Sequence, residues 1–245
     1  MTETPLLALD SVTAGYGMLT VLDRVALQLG SDEVLAVLGA NGSGKSTVLK
    51  TAIGLTRMTG GRISLAGADI SLLPPHRRAA LGMGYVPQTR NVFAELSVLD
   101  NLRMGGFLHA SAARAGIDQV FDLFPRLGER QRTRAAALSG GERRMLAIGL
   151  TLLLRPLLLL LDEPSSDLSP AMVALVFDAI RRIREQQHIP VLLVEQNVRM
   201  ALQLADRVCV MVRGRQVLDV PVAQLDMGRL HGLFVDGGVR TGSAL

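Results

Sequence analysis

The sequence has no tryptophan, a single cysteine and only 3% aromatic residues. Stacking single-stranded bases takes a row of aromatic rings, so this composition argues against that kind of nucleic-acid binding. The lone thiol, Cys209, lies in the apolar run VCVMV. It has no disulfide partner and is expected to be an inert core residue in a reducing compartment. A strong charge of one sign is also missing: 26 Lys and Arg face 22 Asp and Glu, a net charge of +4. The basic residues are scattered, as in Arg77-Arg78, Arg143-Arg144 and Arg181-Arg182. They are expected on a solvated surface, weakly attracted at most to an anionic membrane face, and not in a stripe that tracks DNA. The most apolar stretch, Met145–Leu161, is split by Arg155-Pro156, and each half is too short to cross a bilayer. Met1–Pro5 is polar, with no basic stretch ahead of an apolar one, so no secretory leader is expected. No internal repeat or low-complexity linker stands out.

What remains is a chain of 245 residues, 49% hydrophobic and 20% charged. That suffices for one sizeable α/β domain, or a domain with an inserted lobe, around a well-packed core. The mean hydropathy of +0.32 fits a large core and fits equally an apolar surface covered by partners.

Short apolar runs bounded by Gly, Asp or Pro mark strands at Val34–Leu38, Leu157–Leu161, Val191–Val194 and Val208–Val212. Runs without alternation suit a parallel sheet buried on both faces. Helical patterns lie between them, at Lys45–Leu55, Gly141–Leu154, Pro170–Gln187 and Asn197–Leu204, which implies a layered α/β core. The N-terminal part reads differently. Leu6–Leu9 and Val21–Leu29 look like strands around a turn at Ala14–Gly17, and Arg62–Leu65 like a further strand. These suggest an antiparallel β layer. Residues 89–156 read as mostly helical, with Ser97–Met104 and Ile117–Phe124 as candidates. The expected division is therefore a core of residues 1–88 and 157–245 with a helical lobe at 89–156. Val220–Leu245 carries no clear pattern, and its small polar end suggests fraying.

Three segments carry chemistry. After the strand Val34–Leu38 comes Gly39-Ala40-Asn41-Gly42-Ser43-Gly44-Lys45-Ser46, then Thr47. This is G-x-x-x-x-G-K-[ST] between a strand and a helix, the context in which that motif binds a nucleoside triphosphate. Glycines let the backbone curl so that successive N–H groups face an anion, and the helix N-terminus adds partial positive charge. Lys45 brings a full charge to the β- and γ-phosphates, and Ser46 a hydroxyl to Mg²⁺. A bare glycine-rich turn without a ligand is the weaker reading.

The second segment is the strand Leu157–Leu161 ending in Asp162-Glu163. Asp162 is placed to reach the magnesium shell and Glu163 to polarise an attacking water as general base. Two surface acids before Pro164 would be a competitive reading were the phosphate loop not upstream. The third is Leu138-Ser139-Gly140-Gly141-Glu142 at the start of an apolar helix. It offers either an N-cap or a second anion site.

LSGGE between a phosphate loop and an acidic strand resembles the signature of the ATP-binding subunits of ABC transporters, and the resemblance covers nearly the whole chain. It implies an ABC ATPase fold: an α/β P-loop core with an antiparallel β layer and an inserted helical subdomain. It also implies ATP and Mg²⁺ as ligands, and a head-to-tail pair of ATPase subunits, identical or not. Ser139, Gly140 and Gly141 would then contact the γ-phosphate held by a partner's loop. By the same resemblance Tyr16 would stack on adenine, and Gln88 after Gly84-Tyr85-Val86-Pro87 would meet magnesium and water. Gly39, Asn41, Gly42, Ser43, Gly44, Lys45, Ser46 and Thr47 would bind nucleotide, Ser46, Gln88 and Asp162 metal. Tyr16 also reads as a packing residue, and Gln88 as a polar strand end.

The pattern also departs from the family. Where a switch histidine usually follows the strand Val191–Val194 and Glu195, this chain has Gln196, which cannot carry a proton's charge near neutral pH. Ser169 stands at a usual aspartate, and Arg143-Arg144 where glutamines are common. The stretches LPPHRRAALGMGYVPQ, LSGGERRMLAIG, LLLLDEPS and LLVEQNVRMALQLADR look like the second ATPase subunit of branched-chain amino-acid uptake systems, in which Gln at the switch position is usual. DEPSSDLSP differs slightly from that subgroup's DEPSLGLAP. Importers of urea or short amides are similar too. Lipopolysaccharide-export ATPases share part of the pattern but are expected to carry His at 196. The expected partners are permease subunits, a second ATPase and, indirectly, a solute-binding protein, with the chain peripheral on the cytoplasmic face of the cell membrane. Glu163, Gln196 and Gln88 are the expected catalytic set. A soluble ABC-type ATPase and an ATP-binding but non-hydrolysing subunit are the competing classes.

Overall fold

The computed structural model describes residues 4–89, 91–107 and 113–235. Along the chain run β1 (Leu7–Tyr16), β2 (Leu19–Leu29), β3 (Val34–Leu38), α1 (Lys45–Ala52), β4 (Arg57–Leu65), β5 (Ala68–Asp69), α2 (Pro75–Ala80) and β6 (Met83–Val86). Helices α3 (Val98–Gly105), α4 (Ala113–Leu123), α5 (Pro125–Glu129) and α6 (Gly140–Leu152) follow. Then come β7 (Leu158–Asp162), α7 (Pro170–Gln187), β8 (Val191–Glu195), α8 (Val198–Leu204), β9 (Arg207–Val212), β10 (Arg215–Pro221) and α9 (Met227–Val235). These residues fall into two compact units. One holds those up to Arg78 and from Pro190 onward, the other Ala79–Ile189.

In the first unit every residue of β3 and β8 is buried, as expected of strands covered on both faces. They pair in parallel, Val34 opposite Val191 through Leu38 opposite Glu195, and β9 joins β3 on its other edge. Only β10 runs antiparallel, against β9. A second sheet, ordered β2-β1-β4-β5, is antiparallel throughout. The C-terminal half of β2 alternates, with Leu22, Val25, Leu27 and Leu29 buried, so it turns one face to the core. Helix α1 packs against β1, β2 and β4 of this sheet and against β8 of the other. The helix that opens at the glycine-rich loop is thus held on two sides.

Strand β1 runs past the turn expected at Ala14–Gly17. Ala14, Gly15 and Tyr16 pair with β2 and, for the first two, with β4, so the reversal falls at Gly17-Met18. Pairing on both edges outweighs the local turn signal, and bulges around Ser11, at φ 49°, absorb the extra residues. The apparently patternless C-terminal stretch contains the end of β10 and the helix α9, whose Leu230 is buried. The small polar end from residue 236 lies outside the described residues.

In the second unit β6 and β7 pair in parallel, Met83 opposite Leu158 through Val86 opposite Leu161. Helix α6 contacts β6 and α3, α4, α5 and α7. Close approach explains Gly84, where an added Cβ would lie 2.7 Å from Thr151 Cγ2 of α6. Asn101, wholly buried in α3, holds the preceding segment by accepting from Phe93 N at 2.8 Å and donating to the Phe93 and Ser97 carbonyls at 2.9 Å.

Arg78 overturns the expectation of a solvated basic surface, being 3% exposed. Its Nη1 donates to the carbonyls of Thr51 and Ala52 at 2.9 and 2.8 Å, the last residues of α1. Nε and Nη2 reach Leu73 and Ser71 carbonyls at 2.9 and 2.8 Å. Helix ends leave carbonyls without intrahelical partners, and a guanidinium fork suits them. Burial pulls its pKa down, with the Asp69 charge opposing. Arg78→Ala leaves these carbonyls facing a void and is expected to lower the unfolding free energy by about 3 kcal/mol in urea titration. Unchanged stability would refute that role.

Candidate nucleotide site

The turn after β3 is built from glycines at positions where a side chain would clash or strain the backbone. At Gly39 an added Cβ would sit 2.4 Å from the Met211 carbonyl oxygen and 2.5 Å from Ser43 Oγ. Gly42 and Gly44 have φ of 77° and 100°, in the left-handed region. Ser43 N donates to the Ala40 carbonyl at 3.1 Å, and Gly214 N, from the β9–β10 turn, donates to the Ser43 carbonyl at 2.9 Å. Lys45 is 4% exposed, and its Nζ reaches back across the loop to the Ala40 carbonyl at 3.0 Å. Ala40, Asn41 and Gly42 form the exposed rim, with Ser46 half-buried and Thr47 buried. No side chain caps the N-terminus of α1. Ser43 Oγ is buried without a hydrogen-bond partner among the described residues. A curled loop, an uncapped helix start, a lysine and an orphaned hydroxyl together fit an anionic ligand.

Around the loop lie two more expected residues. Tyr16 ends β1 at 44% exposure, beside Met18 and Leu19 at 96% and 67%. The same hairpin touches the loop, since a Cβ on Gly44 would meet Leu22 Cδ2 at 3.2 Å. Gln196 is exposed just after β8, whose last residue pairs with the last of β3. Its backbone N and that of Asn197 donate to the buried Glu195 carboxylate at 3.1 and 3.2 Å, and Asn197 caps α8. The Gln196 side chain is thus borne on a fixed backbone.

In the second unit Asp162 ends β7 at 2% exposure. Its Oδ2 accepts from Tyr85 OH at 3.3 Å, while Oδ1 is buried with no hydrogen-bond donor among the described residues. Glu163 follows at φ 45°, a left-handed conformation that costs a non-glycine residue about 1–3 kcal/mol. Its Oε2 accepts from Gln88 Nε2 at 3.0 Å. Glu163 and Gln88, 75 residues apart in sequence, are therefore in contact.

Ser139 and Gly140 are exposed at the start of α6. Ser139 Oγ accepts from Glu142 N at 3.3 Å, and Glu142 Oε2 accepts from Ser139 N at 2.8 Å, a reciprocal capping box. Arg130 clamps Glu142 at 2.8 Å. Gly141 is buried, and a Cβ there would meet Met172 Cε at 2.3 Å. The exposed Ser-Gly turn and the cap are thus one arrangement.

Two features escaped the sequence reading. Arg144, expected on the surface, is 5% exposed and donates to the Pro87 and Gln88 carbonyls at 3.0 Å. No periodicity distinguishes it from its neighbour Arg143. A groove of about 360 Å³ between β6, α3 and α6 is lined by Tyr85, Phe93, Met104, Phe107, Leu150 and Leu154 among others. Its Phe93, Met104 and Phe107 are 52%, 53% and 77% exposed, an apolar rim that calls for a cover. As expected, Cys209 is buried, and burial pushes its thiol up to about 12.

A strand, a glycine nest, a lysine at the helix start and an acid-terminated second strand define a P-loop ATPase. The pattern of the ABC transporter family matches residues 22–166, and the chain belongs to that family as an ATP-binding transport ATPase. It is 42% identical over 205 residues to a probable branched-chain amino acid transport ATP-binding protein, LivF, of Archaeoglobus fulgidus, covering 83% of this chain and 87% of that one. It is 39% identical to BraG of Pseudomonas aeruginosa, a high-affinity branched-chain amino acid transport ATP-binding protein, over 95% of this chain and all of the other. The lipopolysaccharide export protein LptB of Haemophilus influenzae matches at 33% over 86% of this chain and 88% of its own. The solved ATP-binding cassette MJ1267 has the same fold, with a TM-score of 0.86 at 21% identity, covering 97% and 100% of the two chains. Among the described residues no cluster of three or more His, Cys, Asp or Glu side chains could hold a metal, and no helix is long and apolar enough to cross a membrane.

The capping box makes a pH prediction. Burial tends to raise the Glu142 pKa, but the Ser139 N–H and the Arg130 guanidinium outweigh it and hold the carboxyl below its ordinary value. Its stabilising contribution is therefore full above the ordinary carboxylate range and is lost as pH falls through the lowered value. Glu142→Gln is expected to flatten the acid-side fall in melting temperature. An equally steep fall in the variant would contradict this.

Proposed function

We propose that this chain is the ATP-hydrolysing subunit of an uptake transporter for branched-chain or other hydrophobic amino acids. The observation that carries the reading is the identity of 39% to BraG along 95% of the chain, beside that to LivF. Gln196 supports it, since the export relatives are expected to carry His there. The export relatives, at 33% identity, define the alternative cargo.

In this reading residues 1–88 and 157–245 act as the ATPase core and 89–156 as the helical lobe. ATP lies on the loop Gly39–Ser46 with Asn41, Thr47 and the Tyr16 ring beside it. Ser46, Gln88 and Asp162 would hold Mg²⁺, which neutralises phosphate charge when bound; the orphaned Asp162 Oδ1 is the acceptor expected for such a role. Glu163, held by Gln88, takes a proton from the attacking water as the water oxygen bonds the γ-phosphorus and the β–γ bridge breaks. Ser139, Gly140 and Gly141 complete the site of a second ATPase subunit, identical or different, and Gln196 orients the γ-phosphate. Closure of the pair is favoured by ATP and reversed by hydrolysis. The apolar groove rimmed by Phe93 and Phe107 receives a permease segment, keeping the chain peripheral on the cytoplasmic face of the membrane. A solute-binding protein selects the cargo on the other side.

Glu163→Gln is expected to lower ATP turnover by about a hundredfold or more while leaving nucleotide affinity intact. Equal rates in the two proteins would remove Glu163 from catalysis. Phe107→Asp is expected to reduce the membrane-bound fraction of the chain without changing ATP affinity; an unchanged fraction would refute the groove as the docking surface. Uptake of labelled leucine, isoleucine and valine tests the cargo. It should fall in cells carrying only Glu163→Gln, and full retention would overturn the amino-acid reading.

A further inference from the structure

Helix α6 carries Arg143-Arg144 where the family commonly has glutamines, and the two arginines have different surroundings. Arg143 Nη1 donates to the Leu138 carbonyl within its own helix start and is half-buried. Arg144 is buried and faces two separate loops of the second unit. Its Nη1 donates to the Pro87 carbonyl, its Nη2 to the Gln88 carbonyl, both at 3.0 Å, and Nη2 also lies 3.3 Å from Ser166 Oγ. Ser166 Oγ in turn donates to the Glu163 carbonyl at 3.0 Å, and Ser166 N reaches the same oxygen at 3.1 Å. The side chains of the two loops meet where Gln88 Nε2 donates to Glu163 Oε2.

These contacts form a closed ring. It runs from the guanidinium to the Gln88 backbone, along the Gln88 side chain to the Glu163 carboxylate, through the Glu163 backbone to Ser166, and back to the guanidinium. The turn after β7 needs such a brace. Glu163 sits at φ 45° and Asp167 at φ 60°, conformations that persist only where the surroundings over-determine them. On the other side, the Pro87 carbonyl also accepts from Asn91 Nδ2 at 3.2 Å, so the segment that lines the apolar groove is tied to the same fork. A guanidinium carries five N–H donors on three nitrogens in a rigid plane, and a carboxamide carries two on one nitrogen. Glutamine at 144 cannot serve three acceptors on two loops.

We infer that Arg144 is a positioning residue: it holds the Gln88 segment and the turn after β7 at the spacing that keeps Gln88 on Glu163. The inference rests on the reading of Glu163 as general base for its consequence in catalysis, but not for its structural part. Arg144 touches no reacting atom, and its effect passes through the two backbones it spans. It also joins the wall of the apolar groove to the Glu163 carboxylate through a single side chain.

The test uses the full chain and the variants Arg144→Gln, Arg144→Lys and Glu163→Gln. In amide hydrogen exchange without nucleotide, Arg144→Gln should speed exchange at residues 88–89, at 163 and at 165–168 together by roughly tenfold or more, with the body of α6 unchanged. Lysine keeps the charge but not the fork, so Arg144→Lys should do the same. In ATP turnover, Arg144→Gln should lower kcat by about tenfold at unchanged KM for ATP, and Ser166→Ala added to it should cost little more. Three results would overturn the inference: exchange unchanged in the two loops, exchange raised throughout α6 as in a general packing defect, or full kcat in Arg144→Gln while Glu163→Gln is inactive. Loops that loosen as expected while Glu163→Gln keeps full turnover would uphold the brace and sink the general-base reading instead.

Discussion

The candidate site of the first unit depends on one stretch of backbone in a conformation that side chains would strain. The loop after β3 turns sharply, with a steric clash awaiting any side chain at Gly39 and positive φ at Gly42 and Gly44 that would strain one. Its conformation is secured by its surroundings. The Gly214 amide holds the Ser43 carbonyl, α1 is wedged between two sheets, and Arg78 closes the far end of that helix. An anion site made of backbone dipoles is only as good as its rigidity, because dipoles that must reorganise lose most of their advantage.

The same logic recurs with arginine in place of glycine, once in each unit. Buried guanidinium groups are costly unless each donor finds an acceptor, and here those acceptors are backbone carbonyls at helix ends and loop turns. Arg78 and Arg144 convert that requirement into fixed loops. One steadies the helix behind the phosphate loop, the other two loops that carry Gln88 and Glu163. The strained turn at Glu163 is stable because several bonds converge on it.

Much of this was legible in the residues. Buried parallel strands announce themselves as unbroken apolar runs, and β3, β7, β8 and β9 were found within a residue or two of their ends. The phosphate loop was legible because its chemistry leaves little choice of residue. What stayed hidden depends on distance in space. Gly15 reads as a turn, since part of the pairing that makes it strand comes from Arg57, far away in the chain. Arg144 reads like Arg143 because both sit on one polar-looking dipeptide, and only the packing of α6 buries one of them. The contact of Gln88 with Glu163 and the apolar groove likewise exist only once β6 lies beside β7.

We propose the loop after β3 as a preorganised site for the phosphates of ATP, with Lys45 as its charged member. Calorimetric titration of Mg²⁺-ATP into the chain and into Lys45→Ala tests it most directly. The expected result is a loss of affinity of about a hundredfold or more, with little change in the melting temperature of the nucleotide-free protein. Near-normal affinity in a well-folded Lys45→Ala would contradict it.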